Sequence, residues 1–140
     1  PGLENAEFVR YGVMHRNTYL DSPRLLDRYY RCLGKPQIAF AGQITGVEGY
    51  VESAASGLLC GIETALRILD RPPLDLPDTT ATGALALYIS NRSVSDFQPM
   101  NVNFGIMRGL EYRVKGGRKN RRRELAERAL REIDEACGRM

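Results

Sequence analysis

Apolar and polar positions along this chain change their period several times, and the sharpest change lies between Ile38 and Leu69. Ile38, Ala39, Phe40 and Ala41 form a short apolar run that predicts a strand, and Gly42, Gly46 and Gly49 then break it. Apolar residues return at spacings of three and four at Val51, Ala54, Ala55, Leu58, Leu59, Ile62, Ala65, Leu66 and Leu69. That rhythm predicts about five turns of amphipathic helix. Upstream, Glu7–Leu20 is rich in aromatic and β-branched residues and predicts extended segments. Ser22-Pro23 has the wording of a short helix start. Arg28–Cys32, a turn at Leu33–Pro36 and Gln37–Ala41 then predict a hairpin that feeds the glycine turn.

Downstream of the long helix, Asp70–Asp78 holds three prolines and predicts an extended linker. Asp78 or Thr79 is placed to cap a second helix over about Thr80–Ile89, apolar around most of its circumference and therefore mostly buried. Asn91–Gly105 predicts a loop anchored by Phe97, Met100, Val102 and Phe104, of a length that serves either function or lining. A last helix over about Arg121–Ala136 would bury Leu125, Ala129, Ile133 and Leu130 and end at Gly138.

A strand, a glycine turn and a helix in succession bring the unpaired N–H groups of the first helical turn within reach of an anion or the edge of a flavin. The competing reading is a plain connector, because this spacing is not the GxGxxG dinucleotide fingerprint. Ser53, Gly57 and Gly61 give the helix a smooth strip for another backbone or for a flat cofactor. Tyr50 can lie against a flat heterocycle or pack on a neighbouring strand. Glu48 can accept hydrogen bonds from an amino edge or serve as a first-turn acid.

Composition narrows the classes. A 140-residue chain is long enough for one core, and no apolar run approaches the roughly 18 to 20 residues that span a bilayer. Cys32, Cys60 and Cys137 are widely spaced and odd in number, as reduced thiols of a cytosolic protein would be. No metal-ligand spacing, GxSxG or phosphate-binding loop is present, and no catalytic residue is assigned. Charge is uneven. Arg108–Arg123 carries eight basic residues and one acid, Glu111, for a local charge of +7 against +3 for the whole chain. Lys115, Arg118, Lys119, Arg121, Arg122 and Arg123 are either a solvated charge run or a nucleic-acid surface. Their place at a helix start, where cations oppose the helix dipole, adds weight to a binding role.

The wording AGQITGVEGYVESAASGLL, with YGVMHRNTYLDSPRLL upstream and FQPMNVNFG downstream, resembles the TrmFO family of folate- and FAD-dependent tRNA (uracil-5-)-methyltransferases over nearly the whole chain. The resemblance implies an α/β fold: the carboxyl-terminal part of a FAD-binding, Rossmann-like flavoprotein, with a few strands, one long helix after the glycine turn, and a helical tail. Residues 1–72 would complete the FAD-binding domain and residues 73–140 would form a carboxyl-terminal helical region with the basic tail. Gly42, Gln43, Ile44, Glu48, Gly49, Tyr50 and Val51 would line the FAD site. His15, Arg16, Glu48 and Tyr50, with Tyr11 as a weaker candidate, would border the folate, and the basic tail would meet tRNA. The implied cofactors are FAD, 5,10-methylenetetrahydrofolate and NAD(P)H, and the implied reaction is methylation of the T-loop uridine in the cytoplasm.

Pro1-Gly2-Leu3 reads as the edge of a longer chain, so the amino-terminal FAD-binding part and the family's catalytic cysteines would lie upstream and this piece alone would be inactive. Excision would expose Phe8, Val9, Ile38 and Phe40 and lead to self-association. Two rivals remain: an MnmG-like enzyme of the wobble uridine, against which the GVEGYVES wording argues, and a non-enzymatic basic RNA-binding module, which would have no need of Gly42–Tyr50.

Overall fold

The computed structural model describes residues 2, 4–7 and 17–139. Tyr11, His15, Arg16, Phe8, Val9 and most of the first extended segment therefore lie outside the described residues. The architecture is a mixed one of helices and a small two-stranded sheet, consistent with an α/β assignment.

Helix α1 is the single turn Ser22–Leu25, started by proline in its first turn. It is held from outside, since the buried Ser22 hydroxyl donates to Thr45 O at 2.9 Å and Leu20 N–H to Ile44 O at 2.8 Å. The hairpin forms as expected but is short: β1 is Arg31–Cys32 and β2 is Lys35–Ala39, paired antiparallel. Asp27 shapes the turn before it by accepting from the N–H groups of Tyr29 and Arg31 and pairing with Arg31 Nε at 2.7 Å. Every residue of β2 is exposed, including Ile38, and so is Phe40 beyond it.

A 3₁₀ turn, Gln43–Thr45, leads through Gly46 into helix α2, Tyr50–Ile68. The apolar stripe expected on α2 divides between two faces. Ser56, Leu59, Glu63 and Leu66 are buried, whereas Val51, Ala54, Leu58, Ala65 and Leu69 are exposed, with Gly57 and Gly61 beside them. A helix apolar all round needs cover on both sides, and the described residues cover one.

The buried face of α2 meets Tyr30, Val47, Leu74, Leu76, Phe97 and helix α3, Ala81–Ile89. The proline linker is inserted into this core: Leu74 and Leu76 are buried, and Glu63 Oε1 accepts from Leu74 N–H at 3.1 Å. Burial pushes the Glu63 carboxyl above its ordinary value, while the N–H groups of Asp75 and Leu74 pull the other way. Thr80, rather than Asp78 or Thr79, caps α3 by accepting from Gly83 N–H at 3.0 Å. As expected, α3 is mostly buried.

Helix α4, Gly117–Cys137, begins four residues earlier than its apolar rhythm suggested, because Gly116 turns left-handed and starts it inside the basic run. Leu125, Ala129 and Ala136 are buried and Ile133 packs against the main core, but Leu130 is exposed. The main core joins residues on both sides of position 72.

Candidate functional site

The loop between α3 and α4 decides what the glycine turn can do. Val47 forms a parallel bridge with Met100: Glu48 N–H donates to Met100 O and Met100 N–H to Gly46 O, both at 3.0 Å. Phe97 is buried beside this bridge, against the rings of Tyr88 and Tyr19, and the Tyr88 hydroxyl donates to Gln98 O. This clamp carries the side of Asn101 to the mouth of α2.

A cleft of about 410 Å³ opens there, lined by Asn17, Gln43, Glu48, Gly49, Tyr50, Ser53 and Asn101. Gln43, Glu48, Gly49 and Tyr50 of the anticipated FAD set thus share one cavity, and Glu48 and Tyr50 of the anticipated folate set stand in the same one. Gly42, Ile44 and Val51 stand outside its lining. The Gly42 N–H is engaged by the Ser56 hydroxyl at 2.8 Å, and Ile44 and Val51 are exposed. Tyr50 is 97% exposed, so its ring does not pack on a strand.

Gly49 is the N-cap of α2, with φ +89° and ψ +138°, and no side chain caps the first turn. A side chain at this position would run into the Glu52 carboxylate and approach Asn101 Nδ2 to 3.0 Å. The backbone conformation is the one that favours glycine, whereas the Glu52 carboxylate sits at the end of a flexible side chain and can move aside. The first-turn acid is Glu52, not Glu48, which precedes the cap. Missing from the anticipated set were Asn17, Ser53 and Asn101. Asn101 sits in the FQPMNVNFG wording, but its nearness to Gly49 depends on a pairing between segments some fifty residues apart.

One residue further on, the same loop enters a second concavity. Val102, Phe104, Met107 and Leu125 line a groove of about 720 Å³ together with Arg118, Arg121 and Arg122. A neighbouring hollow of about 1010 Å³ shares Arg118 and Arg121 and adds Tyr112, Arg113 and Lys115. Lys119 and Arg123 line neither; Arg123 faces Glu127 at 3.6 Å. The same loop thus supplies consecutive residues, Asn101 and Val102, to the cleft and to the basic groove.

Among the described residues no group of side chains has the makings of a metal site, and no helix is long and apolar enough to cross a membrane. None of the three cysteines lines the cleft or the groove, and burial raises the Cys60 thiol above its ordinary value, which makes it a poor nucleophile.

Residues 1–72 match the family described as glucose inhibited division protein A. Proteins named methylenetetrahydrofolate–tRNA-(uracil-5-)-methyltransferase TrmFO from Streptococcus pneumoniae strains Hungary19A-6 and JJA are each 56% identical to this chain over 135 residues. The match takes in 96% of this chain and 30% of each of those proteins, so the chain spans about 30% of the length of these curated relatives.

Proposed function

This chain belongs to the glucose inhibited division protein A family, and on that premise we propose that it forms part of a flavoenzyme that methylates carbon 5 of a tRNA uracil, the T-loop uridine, in the cytoplasm. The observation that carries this reading is that one loop contributes to both concavities, Asn101 to a cleft at a helix start and Val102 and Phe104 to a groove whose arginines form no ion pair with any described residue. A flavin- and folate-dependent RNA methyltransferase needs both kinds of surface, since the base must come to the cofactor while phosphates of the same RNA are held.

The cleft fits a flat heterocycle. Gly49 turns the chain into α2 at the cleft, the uncapped first turn of α2 presents N–H donors, and the exposed Tyr50 ring offers a stacking face. In this reading Gln43, Gly49 and the start of α2 hold FAD, and Glu48, Tyr50 and Asn101 border the folate. Glu48 accepts hydrogen bonds from an amino edge, while Asn101 both donates and accepts. Methylenetetrahydrofolate supplies the one-carbon unit and FAD with NAD(P)H the reducing electrons. The nucleophile that activates the uracil comes from elsewhere in the polypeptide, because no described cysteine reaches either concavity.

The Rossmann-like part of the fold lies, in this reading, in the amino-terminal portion that the longer relatives possess. Residues 1–72 complete that domain and residues 73–140 form the carboxyl-terminal helical region. The exposed apolar face of α2, with its smooth strip at Gly57 and Gly61, is where that portion packs.

The test is transfer of label from methylenetetrahydrofolate to tRNA uracil by the full-length polypeptide, compared between wild type and Gly49→Ala. The variant should lose bound flavin, read by its visible absorbance after gel filtration, and transfer activity with it. Full flavin content in Gly49→Ala would remove the cleft from the flavin site, and absence of label in carbon 5 of uracil would remove the reaction.

A further inference from the structure

The basic tail does not act as an undifferentiated charged surface, because the fold engages some of its arginines and gathers others in a groove. Arg108 is paired with Asp78 through Nε at 2.7 Å, and Arg128 donates to the carbonyls of Gly109 and Arg108. Arg123 faces Glu127. Arg108 and Arg128 tie the 108–109 segment to Asp78 and to α4, while Arg123 is paired within α4. Arg118, Arg121 and Arg122 form no ion pair with any described residue. They stand three and four residues apart on the first turns of α4, where like charges repel one another and also oppose the helix dipole.

Those three uncommitted arginines share a groove with one aromatic ring. Phe104 is 41% exposed, and the Arg122 guanidinium carbon lies 5.7 Å from its ring centroid. Val102, Met107 and Leu125 supply apolar wall, and the volume of about 720 Å³ is of the size that takes a single small ligand. An exposed ring with an arginine against it, two further free guanidinium groups beside it and an apolar wall is how proteins hold an unstacked base between flanking phosphates.

We propose that this groove receives one unpaired nucleotide of the RNA substrate: its base stacks on the Phe104–Arg122 pair, and Arg118 and Arg121 take the adjoining phosphates. The proposal rests on the RNA-modifying reading given above and adds to it a specific stacking residue outside the basic run. Phe104 and Val102 of this groove belong to the loop that also carries Asn101 to the cleft.

The experiment measures tRNA binding by fluorescence anisotropy at several salt concentrations, with the full-length polypeptide and with Phe104→Leu, Phe104→Tyr and Arg121→Gln. Phe104→Leu keeps apolar volume and removes the stacking face. It should weaken tRNA binding about 5- to 150-fold with an unchanged salt slope, and Phe104→Tyr should restore it. Arg121→Gln should weaken binding and lower the slope of log K against log salt by about one. A blunt RNA duplex without unpaired bases should bind equally to wild type and Phe104→Leu. Equal tRNA affinity of wild type and Phe104→Leu, or an equal loss on the duplex, overturns the groove assignment and leaves the enzyme reading standing. Failure of the wild-type polypeptide to bind tRNA at all overturns both.

Discussion

Gly46 is the position where a single methyl group would test how the site is assembled. Its backbone is left-handed, with φ +83° and ψ +11°, and it directly precedes the Val47–Met100 bridge. A Cβ built there lies 2.5 Å and 2.7 Å from two edge carbons of Phe97. The ring cannot simply retreat, since it is buried and bounded by the rings of Tyr88 at 5.5 Å and Tyr19 at 6.2 Å. Gly46→Ala therefore meets two penalties: about 1 to 2 kcal/mol for a left-handed residue with a side chain, and about 1 to 3 kcal/mol for forcing extra volume into a packed site. The expected loss is about 2 to 5 kcal/mol, a large share of the roughly 5 to 15 kcal/mol that holds a domain folded. Urea titration followed by far-ultraviolet circular dichroism measures it, and the double variant Gly46→Ala/Phe97→Leu separates the two contributions. Removing the ring edge should recover part of the loss, so the double variant should be more stable than the sum of the singles allows. A loss below about 0.5 kcal/mol for Gly46→Ala, or strict additivity with Phe97→Leu, would refute this account of how the 97–101 segment is clamped.

Two further outcomes are expected. Gly57 has open space where a Cβ would stand, so Gly57→Ala in the 140-residue chain should gain about 0.5 to 1 kcal/mol from helix propensity. In the full-length polypeptide the same change should instead destabilise, if another backbone covers that strip, and a gain in both contexts would show the strip uncovered. Glu63 is buried with its carboxyl raised above the usual value, chiefly by burial, so the folded chain holds that proton more tightly than the unfolded one. Its favourable contribution is complete below the unfolded value of about 4.3 and is lost as pH rises through the raised folded value. Glu63→Gln keeps an acceptor for Leu74 N–H and removes that loss, so the variant's urea midpoint relative to wild type should rise between pH 4 and pH 7. A relative midpoint that falls over this range would contradict the assignment.

Local pattern accounted for much of this protein. Periods of three and four and the run of prolines located α2, α3 and the linker, and glycine and proline punctuation located the hairpin, because propensity and turn chemistry act within a few residues. Charge counting located the basic run at the start of α4, and the motif wording by itself pointed to the family that residues 1–72 match. What pattern could not assign was which apolar face of α2 is covered, since Leu58 and Leu59 are equally apolar and only the position of α3 and the linker distinguishes them. Nor could it separate arginines that hold the fold from arginines left free, a distinction that depends on Asp78 lying thirty residues from Arg108. Asn101 and Phe104 acquired their places through the Val47–Met100 pairing. Contacts between distant segments form only when loop closure is compensated by packing elsewhere, so the tertiary structure alone determines them.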